Sequence, residues 1–293
     1  MSPARALAGI ALITLATMVQ ARMDIDALWD FSHPDATEAR MRAALATAQG
    51  DDALVLKTQI ARTWGLRSDF AQARRILAEV EPALAKAGPE PRVRHALELG
   101  RSWSSAAHPP ESQTLEARAA ARAAFARAFD IAREAHLDGL AVDALHMMAF
   151  VDTEPADQVK WDREALDYAL ASDQPAARAW EPSLRNNLGY ALHELGRYDE
   201  AHVEFEKALA LQQRRGSVNG TRIAHWMIAW NLRAMGRTDD ALAIQLRLER
   251  ERDAAGEPSP YVYEELEALY RARGDAERAD AYATKRKALE AAR

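Results

Sequence analysis

The chain has 293 residues, 48% hydrophobic and 28% charged, an ordinary globular composition with enough apolar material for one extended or two compact domains. Thirty-eight Lys and Arg against 44 Asp and Glu leave a formal charge of −6, so the electrostatic footprint of a nucleic-acid-binding protein is missing. The sequence holds no cysteine, which removes disulfides, zinc thiolates, redox dithiols and a thiol nucleophile together.

The first stretch, MSPARALAGIALITLATMVQA, places Arg5 before an apolar run from Ala6 to Val19 and ends on Val19 and Ala21 at the spacing of a small-residue cleavage site. A run of about 14 residues is too short for the roughly 20 of a membrane-spanning helix. Residues 1–21 therefore read as a signal peptide, which favours a periplasmic or secreted protein. The alternative is translation from Met23 and a cytoplasmic protein. Nothing further along reads as a membrane span.

Residues 24–50 read as an N-terminal capping segment. In HPDATEARMRAALATAQG, Pro34 suits the first turn, Asp35 and Glu38 lie near the positive end of the helix dipole, and Gly50 is the expected stop. From residue 51 to 293 the chain compares with itself. ARTWGLRSDFAQARRIL, NNLGYALHELGRYDEAHVEFEKAL, IAWNLRAMGRTDDALAIQLRL and LEALYRARGDAERADAYATKRKAL share a pattern of helix, tight turn and helix, with turns at Ser68, Gly196, Gly236 and Gly274. Two divergent units lie between them, one interrupted by HPPES and one by TEP. Units are expected at about 53–88, 90–136, 138–173, 176–216, 221–255 and 259–291. Aligning Val80, Ala128, Ala165, Ala208, Leu248 and Arg286 gives about 41 residues per unit, longer than a 34-residue repeat requires.

This grammar resembles the tetratricopeptide repeat, carried most fully by Leu188, Gly189, Gly196, Tyr198, Ala201, Phe205 and Ala208. Its long spacing and paired asparagines are similar to the repeats of kinesin light chains. LWDFSHPDATEAR and VDALHMMAFVD resemble segments of bacterial repeat proteins of unassigned function, whose chains often begin near the equivalent of Met23. The resemblance implies an all-α solenoid of about six helix-turn-helix repeats in a right-handed superhelix, with the first helices lining a concave groove. The lysine, asparagine and arginine pattern of the family's carboxylate-clamp subset is not complete here.

HELGRYDEAHVEFE gathers two histidines and five carboxylates, but His193 and His202 lie nine positions apart across a glycine turn, so it is not the HExxH metal motif. His202 and Glu206, at i and i+4, read as a solvated face. No GxSxG, phosphate loop, dinucleotide fingerprint or calcium loop occurs, so no enzyme, metal or cofactor is expected. His146 in DALHMMAF reads as a hydrogen-bonded core histidine, and Met147 and Met148 as core filler.

Repeat register places Asn186, Asn187, Tyr190 and His193 of the fourth unit in the groove, followed by Trp226, Trp230 and Arg233 of the fifth and Tyr261, Glu264 and Arg271 of the sixth. Asparagine amides can bond an extended peptide backbone, and two tryptophans one turn apart offer a rigid platform with indole donors. Either those tryptophans face a ligand or they fill space between units. Arg233 and Arg271 either receive a carboxylate or pair with Glu264 or Glu267. The expected function is a scaffold that binds a peptide or helix of an unknown partner protein; the alternative is a peptide-responsive regulator acting through a separate effector.

Overall fold

The computed structural model describes residues 23–291; the stretch read as a signal peptide lies outside the described residues. All regular structure among them is helical. A capping helix, α1 (Pro34–Leu45), precedes α2 (Gly50–Leu66) and α3 (Phe70–Val80), then α4 (Pro89–Trp103) with α5 (Leu115–Glu134), and α6 (Asp138–Val151) with α7 (Pro155–Ala171). A single turn, α8 (Pro175–Arg178), leads into α9 (Glu181–Glu194) with α10 (Tyr198–Arg214), α11 (Val218–Ala234) with α12 (Thr238–Ala254), and α13 (Pro260–Ala272) with α14 (Ala276–Ala291). Six helix pairs thus follow one another as an α-solenoid.

Local chemistry sets the boundaries. Asp69, Thr114 and Ser217 cap α3, α5 and α11 by accepting from the backbone N–H groups of Gln72, Ala117 and Gly220. Proline opens α1, α4, α7, α8 and α13, where its missing donor costs nothing. Between the helices of a pair, Ser68, Gly196, Gly236 and Gly274 all take positive φ, from 63° to 77°. At Gly196 the reversal is closed by the Arg197 N–H donating to the Leu192 carbonyl at 2.9 Å. Gly50 departs from expectation: α1 ends at Leu45, and Gly50, at φ 54°, opens α2. A residue that tolerates positive φ can serve either end of a helix.

Two further glycines let helices approach closely. A Cβ on Gly189 would lie 2.6 Å from the Phe205 ring, and one on Gly100 would lie 2.5 Å from Phe125. The same device therefore joins α9 to α10 and α4 to α5, although the second unit showed little of the repeat pattern. Buried residues form a succession of clusters along the chain, because each pair packs only on its neighbours. Val80, Ala128, Ala165, Ala208 and Leu248 are all buried at one interface position of successive second helices.

Candidate functional site: the face of the first helices

The first helix of each pair, α2, α4, α6, α9, α11 and α13, meets the next first helix through side chains, so one continuous face runs the length of the solenoid. Its N-terminal half is ionic. Arg62 of α2 lies 3.5 Å from Glu98 of α4, and Arg101 donates to Glu98 at 2.6 Å and to Asp143 of α6. Glu98 and Asp143 are buried. Burial opposes ionisation of Asp143, yet Arg101 and Arg62 hold its carboxyl below the usual range. Burial likewise opposes the Arg101 charge, and Asp143 and Glu98 more than restore it. Beside this network a cavity of about 270 Å³ is lined by Arg62, Leu66, Phe70, His146, Met147 and Phe150.

His146 joins the two halves. Its ring packs edge-on against Phe150 and lies 3.3 Å from the Asn187 amide nitrogen of α9. Burial pushes its pKa down to about 4, so the imidazole is neutral at pH 7. Met147 and Met148 are buried beside it.

The C-terminal half is aromatic. Tyr190 of α9 stacks on Trp230 of α11 with centroids 5.5 Å apart, His193 lies on the same indole at 3.4 Å, and Trp226 follows at 6.1 Å with its plane tilted by 16°. Tyr190 is 44% exposed and Tyr261 of α13 is 62% exposed. The tryptophans are half-buried, so they bridge adjacent units and still present a surface. His193 is fixed by the buried Asn231 at 2.8 Å, and Asn231 donates to the Tyr198 carbonyl at 2.9 Å. Burial lowers the His193 pKa against the pull of that hydrogen bond.

Several expected roles change. The Trp226 indole N–H is spent on the Tyr261 carbonyl at 3.2 Å, so it is no donor for a ligand. Arg233 makes a two-pronged pair with Glu265, at 2.9 and 2.8 Å, instead of pairing with Glu264 or Glu267. That pair binds α11 to α13 and leaves Arg233 no role as a carboxylate receptor. Arg271 does pair with Glu267, at 3.1 Å, as the pairing alternative expects, and also reaches Asp280 of α14 at 3.2 Å. Glu264 is exposed. Asn186 and Asn187 border a second cavity of about 210 Å³, closed on its other side by Phe150 of α6 and by Gln158 and Asp162 of α7. Sequence reasoning passed over Asp162, although Val159, Asp162, Ala165, Leu166 and Ala169 share one helical face. Among the described residues no three His, Asp or Glu gather as a metal site, and His202 meets Glu206 at 3.4 Å.

Residues 180–250, which contain α9 to α12, match the family model of the tetratricopeptide repeat. That stretch is built of tetratricopeptide repeats. No curated protein matches its sequence. Among solved structures, the signal transduction ATPase with a tetratricopeptide repeat sensor from Pyrococcus horikoshii superposes with a TM-score of 0.64 at 14% identity, over 88% of this chain and 39% of that one. The repeat protein thus spans well under half of that ATPase. Aspartyl phosphate phosphatase F from Bacillus subtilis gives 0.61 at 12% identity over 90% and 68% of the two chains. A Rap protein complexed with Competence and Sporulation Factor gives 0.57 at 16% identity over 87% and 71%. These likenesses establish the solenoid fold. Within the described residues no helix is long and apolar enough to cross a membrane.

Proposed function

We propose that this repeat protein is a non-enzymatic binding scaffold that holds an extended peptide or a helix of a partner protein along the face of its first helices. The observation that carries this reading is the row of Tyr190, Trp230 and Trp226, continued by the exposed Tyr261. Stacked rings are rigid, so little side-chain entropy is lost when a ligand covers them, and aromatic anchors dominate interface energetics. Asn186 stands beside the row with a donor and an acceptor suited to a peptide backbone. The fold shared with a Rap protein complexed with Competence and Sporulation Factor supports a binding role.

Affinity capture from cells of the source organism, read by mass spectrometry, tests this. The wild-type protein is expected to retain a partner that the Trp226→Ala/Trp230→Ala double variant loses at unchanged helix content. Equal capture by a folded double variant overturns the proposal. The likeness to a protein described as a tetratricopeptide repeat sensor supports a second reading, a regulator whose curvature changes on binding and acts through a separate effector. Small-angle scattering separates the two: a regulator shifts its radius of gyration when the captured partner's segment is added, and a rigid scaffold does not.

A further inference from the structure

Asp162 is an acid without a counterpart. Its residue is 2% exposed, its Oδ1 is buried with no hydrogen-bond partner, and burial alone pushes its pKa up to about 7. Every other buried carboxylate among the described residues, Glu38, Glu98, Asp143 and Glu265, is answered by an arginine. An unanswered buried carboxyl is a standing cost to the fold. Such a cost accompanies either a packing defect or a site that awaits a guest.

The surroundings favour a guest of one charge. Asp162 opens onto the cavity of about 210 Å³ between α7 and α9, whose lining contains no Lys, Arg or His. Gln158 spends its amide nitrogen on the Ala149 carbonyl at 3.2 Å, and Asn187 directs its own toward His146 at 3.3 Å, which leaves both amide oxygens uncommitted. Phe150 and Tyr190 complete the wall with aromatic rings. Carboxylate, two amide oxygens and two rings are all electron-rich partners, and they suit a cation.

We propose that this cavity receives a primary alkylammonium group, a lysine side chain or a free amino terminus, with Asp162 as its counter-ion and the Gln158 and Asn187 oxygens as further acceptors. Three N–H donors of an ammonium match three acceptor groups. The proposal deepens the binding reading above, since the cavity borders Asn186 and Tyr190, but the site is defined without the tryptophans.

Butylammonium chloride is the probe. Saturable chemical-shift changes at the Met227 methyl and the Asn186 and Asn187 side-chain amides are expected in the wild-type protein, with n-butanol producing none that saturate. Asp162→Asn, which keeps the shape, is expected to weaken the response at least about tenfold, a loss of about 1.4 kcal/mol. In the wild-type protein, independent of any variant, butylammonium should lower the titration midpoint of the Asp162 side-chain carbon. Alanine pentapeptides then distinguish the sources: one end-capped with a central lysine, one with a free amino terminus, one fully capped. Absence of saturable binding, or an equal response in Asp162→Asn, overturns the ammonium site. The Trp226→Ala/Trp230→Ala variant should bind butylammonium normally, so failure of the aromatic row and failure of this site give different results.

Discussion

Arg101 and Trp230 belong to the same face of the same solenoid, and they use it in opposite ways. At the N-terminal end, Arg62, Glu98, Arg101 and Asp143 link three first helices, and the carboxylates are buried and matched. Such charges spend their bonding capacity on one another, so they fix helix against helix. At the C-terminal end, Tyr190, Trp230 and Trp226 also join neighbouring helices, but stacking consumes only part of each ring. An aromatic residue can hold a repeat interface and keep a surface for a partner; a desolvated ion pair cannot, because its charges are costly once separated.

This contrast can be broken at several points. The largest effect is expected from Arg101→Ala, which strips Asp143 of its bonded arginine, leaves Glu98 only the longer contact with Arg62, and should cost about 3–5 kcal/mol in urea denaturation. A quadruple replacement, Arg62→Met and Arg101→Met with Glu98→Gln and Asp143→Leu, should recover most of that loss, since no charge of the network is left unpaired. Helix content and partner capture at the aromatic end should survive the quadruple change.

A pH experiment sharpens the boundary between the halves. Asp162 is raised to about 7 from 3.8, so between those values the folded chain holds a proton that the unfolded chain has lost, and stability falls as pH rises across the window. His146 is lowered to about 4 from 6.5, so there the unfolded chain holds the extra proton and stability rises with pH. The two slopes oppose each other from about pH 4 to 6.5. Asp162→Asn should expose the rising slope of His146, and His146→Phe the falling slope of Asp162. The Asp162 contribution is on the order of 4 kcal/mol across its window, and denaturation midpoints at pH 4.5 and 7 measure the reversal.

Smaller effects test the packing beneath both halves. Gly189→Ala should destabilise by about 1–3 kcal/mol, because its methyl would meet the wholly buried Phe205 ring and neither can move aside. Gly236→Ala meets no neighbour but holds φ at 77°, so only the backbone cost of about 1 kcal/mol is expected. Thermal unfolding of the two variants compares a close approach with a turn.

Much of this architecture was legible in the residues. The turns at Ser68, Gly196, Gly236 and Gly274 could be read because positive φ selects few residue types, and Leu188, Gly189 and Phe205 because a repeated packing unit repeats its sizes. The partner of Arg233 is not legible, because Glu264, Glu265 and Glu267 look equivalent in a string, while it is Glu265 that takes both guanidinium bonds. Asp162 does not stand out within KWDREALDY, where one buried acid looks like its exposed neighbours Glu164 and Asp167.

The sequence by itself determined the repeat, the helices and the places where each pair reverses, because these depend on local conformational preference and on a pattern recurring along the chain. Tertiary structure alone decided which charges are satisfied, which indole donor is spent and where an acid is left unanswered. Those outcomes depend on partners 32 to 42 positions away, as with Arg101 and Asp143, Trp226 and Tyr261, or Arg233 and Glu265. Side-chain identity records what a residue can bond; only the stacking of one repeat on the next determines whether that capacity is used internally or remains for a ligand.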